Sequence, residues 1–220
     1  DALPICNGKA DLVGCKPEWG CAAVIEHHLD DYQLRDTVEH LQGDYTALMS
    51  DVLRRFQNQE PILFYTWTPN WTIGRLVPGI DVVWIEVPFS SLPDSMAPQA
   101  DSTEISVEGC VADPCNLGFP PNDIQVVANK QFLEHGPTQR LLEQVRIPLD
   151  DIASQNTLMF DGEDRPEDIE RHAAAWISAN RDTIDEWLEN TNILTDTPTV
   201  ANSTLLQVRE RQKVICGVQG

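Results

Sequence analysis

Trp67 and Trp71 stand on a proline-broken loop, Thr66-Trp67-Thr68-Pro69-Asn70-Trp71, directly after the apolar run Ile62-Leu63-Phe64-Tyr65. A core has a use for the run but none that is obvious for two indoles on a loop, so they read either as packing or as faces offered to a ligand. Trp19 belongs to a second loop, Gly14-Cys15-Lys16-Pro17-Glu18-Trp19-Gly20-Cys21. That loop feeds a helical pattern in which Val24, Ile25, His28 and Leu29 share one face. The start of such a helix aims unpaired backbone N–H groups forward, which suits an anion or a carboxylate.

Six cysteines add a second kind of chemistry. Cys15 with Cys21 and Cys110 with Cys115 each bound a short loop containing proline, which suggests disulfides in an oxidising compartment. Zinc with His27 or His28 is the alternative, although neither spacing is the usual two-residue knuckle. Cys6 and Cys216 have no local partner.

Catalysis would need His27, His28 or His40 beside an acidic partner or a cysteine. The sequence holds no nucleophile elbow, P-loop, dinucleotide fingerprint or zincin spacing. Adjacent His27 and His28 on a helix cannot both face one site. An adhesive extracellular domain would suit the acidity and the cysteines but leaves the loop tryptophans unused. Asn70-Trp71-Thr72 and Asn202-Ser203-Thr204 match the glycosylation pattern, which reads as chance.

The chain carries 35 acidic against 15 basic side chains, a net of −20, and this repels phosphate backbones and anionic lipid. Nucleic acid is therefore not an expected partner. No apolar run approaches the roughly 18 residues of a membrane helix.

The elements that must hold these residues alternate. Residues 1–14 read as loop, Thr37–Leu41 as a strand, and Asp44 as the cap of a helix to Gln57 with Tyr45, Leu48, Met49, Val52, Leu53 and Phe56 at helical spacing. Strands are expected at Ile62–Tyr65, Asp81–Val87 and Ile124–Ala128, with a long connection over 88–123. Helices are expected over Pro137–Val145 and Asp150–Phe160. A longer one starts at Pro166, its apolar stripe including Trp176 and Trp187 as core. Strands alternating with helices argue an α/β fold with a mainly parallel sheet, in which ligands sit at the carboxyl edge of the strands. Residues 195–203 read as a linker. Thr204–Arg211 then reads as a helix and Lys213–Val218 as a strand that stops at Gly220, as though a further domain were cut.

Together, Gly8–Cys21 and Phe64–Trp71 resemble the periplasmic glycine betaine/proline betaine-binding proteins of ABC importers. The similarity continues through Asp81-Val82-Val83-Trp84, Val87-Pro88-Phe89-Ser90, Val126–Lys130, Ala153-Ser154-Gln155-Asn156 and Asp161-Gly162. The resemblance implies a two-lobed periplasmic-binding-protein fold of type II with an incomplete first lobe. Residues 1–120 would be the second lobe, 121–194 the return to the first, and 195–220 a linker and the start of another domain, similar to an amino-acid-binding one. It implies a receptor and not an enzyme, without cofactor or metal, working in the periplasm with a membrane permease and ATPase.

A quaternary ammonium has no N–H to donate, so aromatic faces must hold it by cation–π attraction. By motif position Trp19 and Trp67 would be two walls of the box. The backbone N–H groups of Gly20 and Cys21 would receive the carboxylate, and a Cys15–Cys21 disulfide would hold them in place. Cys110–Cys115 resembles a staple found in part of the family. The family's carboxylate-rich loop just before Gly8 is not matched by Asp1–Cys6, and its remaining site residues belong to a segment without counterpart here.

Overall fold

The computed structural model describes residues 8–133 and 136–191. The expected linker, terminal helix and terminal strand, together with Cys6, Cys216 and Asn202, lie outside them. Strand β1 (Ala10–Val13) leads to helix α1 (Gly20–Asp31), strand β2 (Val38–Leu41) and helix α2 (Tyr45–Gln57). β1 and β2 are parallel, with Ala10 opposite Val38 and Val13 opposite Leu41. The connecting helix is what a parallel pair requires.

The strand at β1 corrects the loop expected there. Asp11 and Val13 are its buried positions, so a carboxylate stands where a strand pattern calls for an apolar residue. Arg55 of α2 meets that carboxylate at 3.1 Å. α2 itself forms as its sequence dictates: Asp44 accepts a hydrogen bond from the Ala47 N–H at 3.1 Å, and Tyr45, Met49 and Val52 turn inward at helical spacing.

Ile62–Tyr65 joins the other side of β1 at one bridge, not as a full strand. Val13 N–H donates to the Leu63 carbonyl at 2.9 Å and Tyr65 N–H to the Val13 carbonyl at 2.7 Å. Gly14 follows at once, and here the glycine is required by close approach. A Cβ would lie 1.9 Å from His40 Nε2, on a ring that is itself enclosed. Val13, Tyr45, Met49, Val52 and Leu76 form the core, and Trp19, Phe64, Tyr65, Trp67 and Trp71 pack against it half-buried.

Asp81–Val87 is not a strand. Trp84 makes one bridge to Cys110 and Val82 one to Pro78, while Val83 and Ile85 remain exposed. The long connection contains short 3-10 turns at Ala97–Ser102 and, before it, at Trp71–Gly74, and a small antiparallel pair of β3 (Glu104–Ile105) and β4 (Cys115–Asn116). Beyond it come α3 (Lys130–Leu133), α4 (Pro137–Gln144), α5 (Leu149–Phe160), α6 (Pro166–Ala179) and α7 (Arg181–Thr191). The strand expected at Ile124–Ala128 does not form. No hydrogen-bonded neighbour flanks it among the described residues, and Ile124, Val126 and Val127 are exposed.

The described residues divide into two compact units, one of 8–122 with 149–162 and one of 123–148 with 163–191. In the first, α5 packs against the Trp71–Gly74 turn, and Phe160 stacks on Trp71 with ring centres 3.7 Å apart. In the second, α4 packs on α7, and Trp176 stacks on Trp187 at 6.3 Å. The single helix expected from Pro166 is broken. Both the N–H and the side-chain amide of Asn180 donate to the Trp176 carbonyl at 2.9 Å, which closes α6 and starts α7. The two tryptophans are thus half-buried partners from consecutive helices.

Candidate functional site

The carboxyl ends of β1, β2 and the Ile62–Tyr65 run deliver three segments to one place: the loop with Trp19, the start of α2 at Tyr45, and the loop with Trp67. A disulfide joins Cys15 to Cys21, with Cα atoms 6.6 Å apart, and a second joins Cys110 to Cys115 at 6.3 Å. The first closes a turn in which Trp19 N–H donates to the Lys16 carbonyl at 3.0 Å, and it sets Trp19 as the residue capping α1 in extended conformation. Gly20 and Cys21 are then the first helical residues. Among the described residues no acceptor meets their N–H groups.

Trp19 and Trp67 are brought together. Their ring centres are 5.9 Å apart and their planes cross at 79°, so the two indoles form a corner. Both are half-buried. Lys16 places its ammonium 5.9 Å from the Trp19 ring centre, close enough for cation–π attraction, and lies 3.6 Å from Asp44. Trp71 takes another role, since its face is covered by Phe160.

Two rings that sequence reasoning left out of the site complete the cluster. Tyr45 lies 4.8 Å from Trp67 and 6.1 Å from Trp19. Tyr65 lies 5.9 Å from Trp67 and 5.2 Å from Phe119. The signal for Tyr45 was its place at the first turn of a helix following a strand's carboxyl end, where its helical periodicity reads only as core. Burial raises the hydroxyl pKa of Tyr45 and pushes that of Tyr65 to about 12, so both are neutral phenols at ordinary pH.

The histidines do not assemble a catalytic relay. Ser91 Oγ lies 2.8 Å from His27 Nε2 and donates to Asp31 Oδ2, which itself lies 3.4 Å from that same Nε2, so the carboxylate sits on the serine side of the ring and not at Nδ1, where a relay needs it. His28 Nε2 donates to the Ser91 carbonyl at 2.9 Å, and Tyr32 donates to the Phe89 carbonyl at 2.7 Å. Together they clamp the Phe89–Ser91 loop onto α1. Burial lowers the His28 pKa, which keeps the ring neutral there. His40 instead meets Glu26 at 2.7 Å. No group of three or more His, Cys, Asp or Glu converges on a metal position among the described residues.

Asn70 is 4% exposed, and its Oδ1 accepts from both the N–H and the hydroxyl of Thr72. Asn70-Trp71-Thr72 is thus a buried turn whose amide is engaged, not an open glycosylation acceptor.

Residues 4–179 match the family described as the substrate binding domain of ABC-type glycine betaine transport systems. The glycine betaine-binding periplasmic protein OusX of Dickeya dadantii is 44% identical over 183 residues, which is 83% of this chain and 53% of that protein. The glycine betaine/proline betaine-binding periplasmic protein of Escherichia coli is 41% identical over 183 residues, again 83% and 53%. Its counterpart in Salmonella typhimurium is 40% identical over 184 residues, with the same shares. The chain spans about half the length of these curated relatives. Their family implies a periplasmic-binding-protein-like fold, and the mixed helices and parallel strands described above are of that kind. With four-fifths of its length inside the match, the chain belongs to the substrate-binding domains of ABC-type glycine betaine transport systems.

Proposed function

We propose that the chain is the betaine-receiving part of an ABC importer's periplasmic receptor, with no chemistry of its own. Trp19 and Trp67 are two walls of an aromatic box, and the N–H groups of Gly20 and Cys21 take the carboxylate. The observation that carries this reading is the juxtaposition of a 79° indole corner with a helix start whose N–H groups meet no acceptor among the described residues. A betaine presents a soft cation a short distance from a carboxylate, and it offers no donor to any other kind of polar site. The names of the relatives supply the ligand class, glycine betaine or proline betaine, and the periplasmic address. Choline and sulfonium analogues such as dimethylsulfoniopropionate share the soft cation.

In this reading the receptor is two-lobed, of type II. Residues to about 120 form the second lobe and 121–194 the return to the first. The ligand-loaded form docks on a membrane permease driven by an ATPase.

The test is a titration of the full-length protein followed by tryptophan fluorescence. Emission is expected to respond to glycine betaine. Silence towards every quaternary ammonium and sulfonium osmolyte overturns the reading. Trp67→Ala should weaken binding by about 1–2 kcal/mol, roughly five- to thirtyfold. An unaltered affinity would return Trp67 to a packing role.

A further inference from the structure

We propose that Tyr45 is a positioning residue for the aromatic corner, acting through a hydrogen-bond relay that fixes the Trp67 loop. This rests on the betaine-receptor reading for its ligand but not for its geometry. Tyr45 is 4% exposed, so its ring is not a wall of the site. It is what the walls rest on: its ring centre lies 4.8 Å from Trp67, 6.1 Å from Trp19 and 6.5 Å from Trp71.

A leucine could fill such a space without a polar atom to satisfy. Burying a phenol hydroxyl is unfavourable unless it finds a partner. Its nearer partner is Thr66, the residue before Trp67: Tyr45 O–H donates to Thr66 Oγ1 at 3.0 Å, with the Tyr65 carbonyl farther off at 3.4 Å.

The relay continues in one direction. Thr66 and Thr72 share a short hydroxyl contact, and Thr72 O–H donates to Asn70 Oδ1 at 3.2 Å. Asn70 Oδ1 also accepts the Thr72 N–H at 3.0 Å. Since the Thr72 hydrogen goes to Asn70, the Thr66 hydrogen goes to Thr72, and Thr66 is left to accept from Tyr45. Every hydroxyl in the sequence Tyr45, Thr66, Thr72, Asn70 then donates once and no buried group in it is left over, an arrangement in which each bond polarises the next. Thr72 is 1% exposed and Asn70 4%, so solvent does not compete at that end of the relay, while Thr66 is half-buried. The relay spans the loop 66–72 from end to end, and that loop carries Trp67. The first helical residue of α2 thereby fixes the loop that sets one wall of the corner, while its ring touches the other.

The experiment compares Tyr45→Phe, Thr66→Val and Thr66→Ser in the full-length protein. Affinity for glycine betaine, near-ultraviolet circular dichroism of the ligand-free protein and melting temperature are measured for each. Tyr45→Phe keeps the ring and removes only the hydroxyl, and it is expected to weaken betaine binding about fivefold, the size of one buried hydrogen bond. The tryptophan band of the free protein should change with it. Thr66→Val is expected to do the same, and Thr66→Ser to restore both readouts. Tyr45→Phe combined with Thr66→Val should lose no more than either alone, because both break one relay.

A tryptophan band unaltered in Tyr45→Phe and Thr66→Val overturns the proposal. So does a lower melting temperature with band and affinity intact, the mark of a merely structural tyrosine. If the wild-type protein fails to bind betaine, the receptor reading falls, but the band of the free protein still decides the role of Tyr45.

Discussion

Replacing Arg55 by alanine should cost the fold about 3–5 kcal/mol, the range for stranding one member of a buried ion pair. Asp11 lies in β1 with its side chain 1% exposed, and Arg55, 16% exposed, meets its Oδ2 at 3.1 Å. Its other oxygen has no partner among the described residues, so the guanidinium is the main compensation for that carboxylate. Asp51, one helical turn back, accepts from Arg55 Nε at 2.8 Å and holds the guanidinium in place. Without Arg55, the carboxylate is stranded in the interior or drags β1 towards water. β1 runs directly into Gly14 and Cys15, so the disturbance reaches the Trp19 loop. Urea unfolding of the variant checks this, with Asp11→Leu/Arg55→Met beside it. The double variant should recover much of the loss, because it removes the stranded charge as well. A loss below about 1 kcal/mol in Arg55→Ala would place the pair among ordinary surface bridges.

The second large effect is expected from Cys15→Ser/Cys21→Ser. The bridged residues are six apart in sequence, and closing so short a loop is worth on the order of 2 kcal/mol in the chain-entropy account. The functional consequence is separate from that loss of stability. The disulfide brackets Trp19 and Gly20, so in the proposed site it would hold one wall and the N–H groups in register before any ligand arrives. Releasing them adds ordering entropy to binding, about 0.5–1.5 kcal/mol per immobilised side chain, or up to roughly tenfold in affinity. Mass spectrometry under non-reducing conditions establishes the Cys15–Cys21 link in the parent. Titration of the folded variant then reads the effect, and undiminished affinity would mean that the clip does not organise the site.

How much of this was legible in the sequence depends on where the decisive partner lies. α2 could be read because its signals are local, from the Asp44 cap to the repeat of Tyr45, Met49 and Val52. β1 could not, because its buried Asp11 is balanced by Arg55, 44 residues away. Val83, Ile85 and Val127 illustrate the opposite failure, for they have strand-like side chains but lie exposed outside any ladder. Alternation and β-branching describe a surface that suits a sheet and do not supply the neighbouring strand. Asn180 closes α6 by donating to a carbonyl four residues back, a competition between side chain and helix that periodicity does not register.

The site divides along the same line. Trp19 and Trp67 stand out as large rings on loops where a core has little need of them. Tyr45 and Tyr65 hide inside patterns that packing already explains, and only the three-dimensional arrangement brings their rings against Trp67. The histidines are the reverse case. His27, His28 and His40 attract notice by type, yet their contacts with Ser91 and Glu26 tie the Phe89–Ser91 loop and β2 to α1.

The central claim is that the Trp19–Trp67 corner recognises a positive charge lacking hydrogen-bond donors. The most direct measurement is calorimetric titration of the full-length protein with glycine betaine and with 3,3-dimethylbutanoate, which keeps the shape and the carboxylate but has carbon in place of the charged nitrogen. Cation–π recognition predicts that betaine binds and that the uncharged-headgroup isostere binds at least about tenfold more weakly. Equal affinity for the two would contradict it and leave the indoles as a hydrophobic surface.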